Sequence, residues 1–216
     1  MTSRRGLFVV LEGPDKSGKS TQARLLVEDL KAAGHDVVHT REPGGTSFAE
    51  EVRTILLDPK HDVKPLAELL LYEAARAQHT EELLRPALAE GKIVICERYT
   101  LSTVVYQGYG RGLDLKIVDA ANRLATGGLS PDLTFLFDIP DSEFSARDAH
   151  REHDRLESAP DAFRARVRRG YRMIAQRQGV VAADGRKPVE ELRATIRKRL
   201  EPFLRGRRTR ARPAGR

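Results

Sequence analysis

Short apolar runs alternate along the chain with longer segments in which apolar residues recur every three or four positions. Runs of strand length lie at residues 7–11, 36–40, 92–96, 133–139 and 179–183. Helical spacing predicts helices at residues 20–33, 48–57, 65–90 (with a possible break before Pro86), 100–107, 115–126, 159–178 and 189–203. Gly34 ends the first helical segment as a C-cap would.

This order of elements predicts an α/β fold, because strands that alternate with helices form parallel sheets through crossover connections. We expect one five-stranded parallel sheet with helices on both faces. Ligands of such sheets bind at the carboxyl ends of the strands. The loops after Leu11, Thr40, Cys96 and Ile139 are therefore expected to converge on one cleft.

Length and charge place the chain among single-domain globular proteins. It has 216 residues, 40% hydrophobic and 32% charged. Six arginines and no acid lie within residues 205–216, and they account for all but one unit of the net charge of +7. We expect a folded domain at 1–204 and a disordered basic tail at 205–216 that contacts nucleic acid weakly at most. The lone Cys96 and the absence of a long apolar run predict a reduced cytoplasmic protein without a membrane span.

A phosphate-binding loop follows the first predicted strand. Residues 13–20, GPDKSGKS, fit the pattern G-x4-G-K-[ST] between a strand and a helix. Backbone N–H groups of such a loop surround phosphates, Lys19 lies between the β- and γ-phosphates, and the Ser20 hydroxyl can bind Mg²⁺. The fold class is therefore that of a P-loop NTPase, a three-layer sandwich, which alone would suit a GTPase, an ATPase or a kinase.

Three further motifs narrow this choice. REPGGT occupies residues 41–46, LLLYEAARAQ residues 69–78, and ERY with YQG residues 97–99 and 106–108. Together with the P-loop they resemble the bacterial thymidylate kinases, in register from about Gly6 to Arg205. The resemblance implies a nucleoside monophosphate kinase that transfers the γ-phosphoryl group of ATP to dTMP with Mg²⁺, without a covalent intermediate. It also implies a homodimer.

The resemblance assigns residues to each part of this reaction. The set expected to bind ATP is Gly13, Asp15, Lys16, Ser17, Gly18, Lys19, Ser20 and Thr21. The set expected to bind dTMP is Asp15, Glu42, Pro43, Arg53, Tyr72, Arg76, Arg98, Ser102, Thr103, Tyr106 and Gln107.

Individual roles follow from the same resemblance. Arg98 and Arg53 match phosphate-binding arginines, and Arg76 the arginine that binds the thymine carbonyl. Tyr72 falls where an aromatic ring stacks on the base. Thr103 and Gln107 match positions that contact the pyrimidine edge. Tyr106 matches the side chain that excludes a ribose 2′-hydroxyl. Asp15 matches the carboxylate that accepts a hydrogen bond from the 3′-hydroxyl of the sugar.

Two features depart from the usual family pattern. Glu97 stands where the family usually has Asp, and with Ser20 it is expected to hold Mg²⁺. Lys16 in the P-loop coexists with Arg147, Arg151 and Arg155 in the expected lid at 141–158, where helical spacing would put the arginines on one face. Either Lys16 or Arg151 supplies the cation that stabilises the transition state, and the sequence leaves this choice open.

Two alternatives stay open at this level. One is a kinase for another nucleoside monophosphate, which Glu97 and Tyr72 would allow. The other is a nucleotide-binding protein with little kinase activity that uses its arginine tail. The presence of Lys19, Ser20, Arg98 and Arg76 together favours the enzyme.

Overall fold

The computed structural model of the chain describes residues 5–140, 155–156 and 159–207. Its strands are β1 (Leu7–Glu12), β2 (Val37–Arg41), β3 (Ile93–Glu97), β4 (Leu133–Asp138) and β5 (Val180–Asp184). Its α-helices are α1 (Lys19–Ala32), α2 (Ser47–Leu57), α3 (Pro65–His79), α4 (Arg85–Ala89), α5 (Thr100–Thr103), α6 (Leu115–Thr126), α7 (Asp161–Ile174) and α8 (Val189–Leu204). Among these described residues, no helix is long and apolar enough to cross a membrane.

The described strands form one parallel five-stranded sheet in the order β2-β3-β1-β4-β5. In the register, Leu11 lies opposite Glu97 on one side of β1, and Glu12 lies opposite Leu136 on the other. The predicted fold class is confirmed. The strand order could not be predicted, because the hydrophobic pattern shows that strands are buried without showing which strands pair.

Both faces of the sheet are covered, as the continuous apolar runs predict. Alternate residues of a strand point to opposite faces. Leu7, Val9 and Leu11 pack with α1 and α8, whereas Phe8 and Val10 pack on the opposite face with the region around α4. β1 thus lies at the centre of the sheet, and the loop that follows it is held on both sides.

Two helical segments differ from the sequence-based expectation. The segment predicted at 65–90 contains a π-helical stretch, Thr80–Leu84, between α3 and α4. Pro86 then stands in the first turn of α4, directly after the π-helical stretch, and it has no N–H to donate to the preceding turn. The helix predicted at 100–107 is short and continues as a second π-helical stretch, Val104–Gly110. Such stretches are frequent at functional sites, and this one borders the cavity described below.

The predicted lid and tail fall mostly outside the described residues. Within 141–158 only Arg155 and Leu156 are described, so Arg147 and Arg151 lie outside. Helix α8 ends at Leu204, and Arg207 donates hydrogen bonds to the backbone oxygens of Phe203 and Arg5. The division into residues 1–204 and 205–216 stays a prediction.

Phe135 on β4 is fully buried in the core between the sheet and helices α1 and α8. We predict that Phe135→Ala lowers the free energy of unfolding by about 3–5 kcal/mol, because the truncation leaves a cavity that the packed core cannot fill. Urea denaturation measures this change. Lys198→Ala on the exposed side of α8 serves as the control and should change stability by less than about 0.5 kcal/mol. Equal losses in the two variants would contradict the assignment of the core.

Candidate active site

The P-loop connects the central strand to α1 through backbone conformations that its sequence permits. Gly13 and Gly18 have φ angles of 141° and 92°. A Cβ atom on Gly13 would lie 2.4 Å from the backbone oxygen of Phe137, so only glycine fits there. Lys19 begins α1, and its buried ammonium donates to the Pro14 backbone oxygen (3.1 Å) and to Asp15 Oδ1 (3.3 Å). The loop is thus held in shape by the lysine expected to bind phosphates.

Arg98 lies directly across from the P-loop. Its Nη2 atom donates to Asp15 Oδ1 at 2.6 Å, and its guanidinium carbon lies 5.3 Å from the centre of the Tyr106 ring. The Arg98 backbone has a φ of 66°, a left-handed conformation that costs free energy for a residue with a Cβ. Burial would raise the pKa of Asp15, but the charges of Arg98 and Lys19 outweigh it and hold the pKa well below its usual range. Asp15 therefore stays ionised between two cations.

Glu12 fixes the turn that carries Arg98, and sequence analysis missed it. Its buried carboxylate accepts hydrogen bonds from the backbone N–H groups of Tyr99 (2.8 Å) and Ser102 (3.1 Å) and from the Ser102 hydroxyl (2.7 Å). Both N–H groups lie at the start of α5, and the Ser102 N–H is shared between Glu12 and the Tyr99 backbone oxygen (3.1 Å). Burial raises the pKa of Glu12 although the Ser102 hydrogen bond and the Arg98 charge oppose the shift. Its position between a buried strand and the glycine loop was the only sequence signal.

The two residues expected to hold Mg²⁺ lie in contact. The Ser20 hydroxyl donates to Glu97 Oε2, and His39 Nε2 lies 3.0 Å from Glu97 Oε1. Burial would raise the pKa of Glu97, but the hydrogen bonds with His39 and Ser20 outweigh it, so the pKa is lowered. An ionised carboxylate beside a hydroxyl supplies the oxygen ligands that Mg²⁺ prefers. The pair fits a magnesium ion that also binds substrate phosphates, and the longer Glu97 side chain does not separate it from Ser20.

The acceptor residues line a single cavity that opens to solvent. All eleven side chains assigned to dTMP border it, together with Leu57 and Leu156, which sequence analysis missed. The structure thus brings together residues from the P-loop, α2, α3 and the segment after β3. Their roles toward the substrate stay predictions.

Arg76 forms part of the wall of this cavity and is 2% exposed. Its Nε donates to Glu42 (2.7 Å), and its Nη1 lies within hydrogen-bonding distance of Glu73 (2.7 Å), Thr103 (2.7 Å) and Asn122 (2.8 Å). Its Nη2 donates to the Tyr99 backbone oxygen at 3.1 Å. Among the described residues, only one Arg76 hydrogen, the second on Nη2, has no acceptor.

Behind Arg76, a histidine fixes the carboxylate of Glu42. His79 Nδ1 lies 2.9 Å from Glu42 Oε1, and His79 Nε2 lies 2.8 Å from the Thr40 hydroxyl. Burial would raise the pKa of Glu42, but the Arg76 charge and the His79 hydrogen bond outweigh it and lower the pKa. His79 and Thr40 were not predicted, because a buried histidine on a helix has no sequence pattern of its own.

Arg155 is the described member of the expected lid arginines, and its guanidinium binds the acceptor side of the fold. It donates from Nε to the Leu56 backbone oxygen (2.7 Å) and from Nη1 to Glu68 Oε2 (2.6 Å). These partners lie at the end of α2 and on α3. In this structure the Arg155 guanidinium is therefore held at the acceptor side of the fold. Arg151 lies outside the described residues, so the choice between it and Lys16 stays open.

A second, open groove of about 1280 Å³ lies on the other side of the P-loop, at the ends of β4 and β5. Arg168 and Arg172 on α7 and Arg186 after β5 line it. Gly185 packs so closely that a Cβ there would lie 2.8 Å from the Ser17 backbone oxygen. The groove is therefore adjacent to the phosphate loop. The groove could not be predicted from the sequence, because isolated arginines on helices resemble ordinary surface residues.

We predict that Glu42→Gln lowers the free energy of unfolding by about 3 kcal/mol, the lower end of the range for breaking a buried ion pair, since Glu73 still contacts Arg76. The folded-state pKa of Glu42 is depressed, so its stabilisation is present above its ordinary pKa of 4.5 and is lost as the pH falls below it. The difference between wild type and variant should therefore narrow in acid. Urea denaturation from pH 7 to pH 3 measures it.

The matched control is Glu50→Gln, which weakens the exposed ion pair with Arg41 and should cost less than about 1 kcal/mol. An equal cost at Glu42 and Glu50, independent of pH, would contradict the buried network.

The chain is similar to known proteins of one family. The family model described as thymidylate kinase matches residues 11–196. A thymidylate kinase of an Exiguobacterium species is 46% identical over 189 residues, which cover 86% of this chain and 89% of the relative. That of Deinococcus radiodurans is 46% identical over 195 residues, covering 89% and 95% of the two chains. The crystal structure of thymidylate kinase from Ehrlichia chaffeensis superposes with a TM-score of 0.74 at 34% identity and covers 91% of this chain and 99% of that one.

The P-loop, the acceptor cavity and these similarities lead to one conclusion: the chain belongs to the thymidylate kinase family of nucleoside monophosphate kinases.

Proposed function

We propose that the cleft transfers the γ-phosphoryl group of Mg·ATP to the 5′-phosphate of dTMP, in line and without a covalent intermediate, as a step of dTTP synthesis. The observation that carries this proposal is the Arg98–Asp15 contact of 2.6 Å, which joins the P-loop to the acceptor cavity. Donor and acceptor phosphates bound on the two sides of this pair would meet at Arg98. The comparisons do not favour the alternatives of another acceptor or a protein with little kinase activity.

Positioning and charge neutralisation supply the catalysis in this mechanism. Lys19 and the P-loop N–H groups bind the donor phosphates, and Arg98 clamps the acceptor phosphate with a planar guanidinium. Arg53, which donates to the Pro43 backbone oxygen at 2.9 Å, lies in the same cavity and would bind that phosphate as a second cation. The acceptor oxygen is already ionised at neutral pH, so no strong general base is required.

Ser20 and Glu97 are the residues that would hold Mg²⁺. When bound, the ion would neutralise charge on the phosphates. Enzymes of phosphoryl transfer usually bind Mg²⁺ through one or two side chains, and substrate phosphates and water complete its coordination. Ser20 and Glu97 would supply these two side chains. We assign the adenosine of ATP to the open groove lined by Arg168, Arg172 and Arg186, because arginines can stack on a flat base.

The acceptor roles are proposed on the same basis. Tyr72 on α3 borders the cavity one turn before Arg76 and would stack on the base. Tyr106 would limit the space beside the sugar. Its ring contacts the Arg98 guanidinium and the ring of Tyr171, whose centre lies 6.1 Å from the centre of the Tyr106 ring.

We also place the enzyme in the cytoplasm, since its Cys96 thiol is buried and free. The weak contact of the basic tail with nucleic acid stays a prediction.

We propose that the chain forms a homodimer through α2, α3 and α6, which pack side by side. Large apolar side chains on these helices are exposed to solvent: Ile55, Leu66, Leu70, Ile117 and Leu124. Leu66 and Leu70 lie one turn apart on the same face of α3. Because monomeric proteins rarely expose contiguous apolar surface, a second copy that presents the same face is the occupant we expect.

We predict that Lys19→Ala abolishes formation of ADP and dTDP from Mg·ATP and dTMP, because the buried ammonium is the charge aimed at the transferred phosphoryl group. A coupled assay of ADP release, with product identification by chromatography, measures this loss. The matched control is Lys198→Ala, which should keep wild-type activity. Near-normal turnover in Lys19→Ala would exclude the proposed role of the P-loop.

We predict that Leu70→Glu converts the dimer into a monomer, because a charge would be buried at the centre of the apolar face, where Leu70 is 57% exposed in the single chain. Sedimentation equilibrium measures the mass. Met173→Glu, at an exposed apolar position on α7, is the control and should stay dimeric. A wild-type protein that sediments as a monomer would overturn the proposal.

A further inference from the structure

Glu68 on α3 is a charged residue to which the proposed mechanism assigns no part. It is 0% exposed and lies beside the acceptor cavity without lining it. Its Oε1 accepts from Gln107 Nε2 (2.8 Å) and from Arg111 Nε (3.1 Å). Its Oε2 accepts from Arg111 Nη2 (2.9 Å) and from Arg155 Nη1 (2.6 Å). A buried carboxylate with this many donors is held in one orientation.

Glu68 is an acceptor only. Burial would raise its pKa, but the hydrogen bonds from Arg111 and Gln107 outweigh it, so the pKa lies below its ordinary value. An ionised carboxylate cannot donate a hydrogen bond. The group of Gln107 that faces Glu68 must therefore be its NH₂.

This contact decides which end of the Gln107 amide faces the substrate. The Gln107 side chain is 1% exposed, lines the cavity, and has its nitrogen directed toward Glu68. No described residue donates to its side-chain oxygen. Because oxygen and nitrogen lie on opposite arms of the amide, the oxygen is the atom left for a ligand. The cavity wall thus offers a hydrogen-bond acceptor at Gln107.

Arg76 offers the complementary group on the same wall. Its second Nη2 hydrogen has no acceptor among the described residues, while its other four hydrogens are directed at protein acceptors. The wall therefore presents an acceptor at Gln107 and a donor at Arg76. A keto pyrimidine matches this pair, because its N3–H donates and its O4 accepts. Cytosine has the opposite polarity, with an acceptor at N3 and an amino group at C4.

We propose that Glu68 is a positioning residue for base selection: it fixes the Gln107 amide with its oxygen toward the cavity, so that the site takes pyrimidines bearing an N3–H and rejects cytosine. This inference rests on the proposed function, since it concerns the base of the nucleotide acceptor. Glu68 acts through Gln107 and does not itself touch the substrate.

The arrangement predicts the effect of the nearly isosteric change Glu68→Gln. The oxygen of the new amide stays at the Oε2 position, where two arginines donate at 2.9 and 2.6 Å, because only one arginine donates to the Oε1 position, at 3.1 Å. Its NH₂ then occupies the Oε1 position and faces Gln107. Gln107 must turn its own oxygen toward this NH₂, which leaves the Gln107 NH₂ facing the cavity. The cavity wall then presents a hydrogen-bond donor at Gln107 in place of an acceptor.

The test is the ratio of kcat/KM values for dTMP, dUMP and dCMP in the wild type and in Glu68→Gln. We expect the dTMP to dCMP ratio to fall by about tenfold to a hundredfold, the effect of one mismatched buried hydrogen bond. The dTMP to dUMP ratio should not change, because both bases carry N3–H. A purely structural role would lower all three values by the same factor, and that result would overturn the proposal.

Arg111→Gln is the matched control. It removes a cation from the same carboxylate but leaves the Glu68–Gln107 bond, so its dTMP to dCMP ratio should equal that of the wild type. A fall in this ratio as large as in Glu68→Gln would overturn the proposal, since a change of charge around Glu68 would then be enough to explain the loss of base selection.

Gln107→Met removes the amide and keeps the test decisive if Glu68→Gln does not fold. It should itself lose discrimination against dCMP, and an unchanged ratio in this variant would overturn the proposal. Adding Glu68→Gln to Gln107→Met should then leave the dTMP to dCMP ratio of Gln107→Met unchanged, because the two residues act through one contact.

Wild-type enzyme without activity on dTMP would overturn the proposed function itself. Normal dTMP preference with no effect of these changes would overturn only the role of Glu68.

Discussion

The acceptor half of the cleft depends on one buried guanidinium. An arginine that is 2% exposed is unstable unless carboxylates and oxygen acceptors surround it. Arg76 meets this requirement with groups from four parts of the chain: the loop after β2, α3, the segment that follows β3, and α6. The same contacts that neutralise the charge therefore hold the walls of the acceptor cavity together. A polar network of this kind favours one arrangement, since every displacement leaves a buried group without a partner.

A second constraint joins this half to the P-loop. The carboxyl ends of β1 and β3 lie side by side, with Leu11 opposite Glu97, so the glycine loop and the Arg98 turn emerge next to each other. Glu12 binds the backbone of the turn, and Asp15 binds the Arg98 guanidinium. The strained backbone of Arg98 is thus stabilised by Glu12 on the neighbouring strand and by Asp15 in the loop that follows it. Preorganised charges of this kind stabilise a phosphoryl-transfer transition state without further rearrangement.

Much of the fold and the site could be predicted from the sequence, because the informative residues have strong local patterns. The apolar runs located the strands, and the spacing from Gly13 to Ser20 identified the phosphate loop between a strand and a helix. Family motifs then selected residues that the structure brings into one cavity. The strand order, the π-helical stretches and the open arginine groove could not be predicted, since each depends on contacts between segments distant in the chain.

The missed residues share a physical reason. Glu12, Glu68 and His79 act on other side chains or on the backbone, and their effect depends on burial that no sequence pattern reveals. A buried carboxylate on a helix resembles an exposed one until its partners are known. The partners of Arg155 could not be predicted for a related reason: helical spacing indicates the face on which an arginine would lie but not the acceptors on α2 and α3 that bind it.

We propose that the P-loop and this cavity form one site for ATP and dTMP. The most direct test is the rate of ADP release from Mg·ATP with dTMP, dUMP, rTMP, dCMP, UMP and AMP offered in turn to the wild-type enzyme. We expect the highest kcat/KM for dTMP. A higher value for another monophosphate, or ATP binding without turnover of any acceptor, would contradict it.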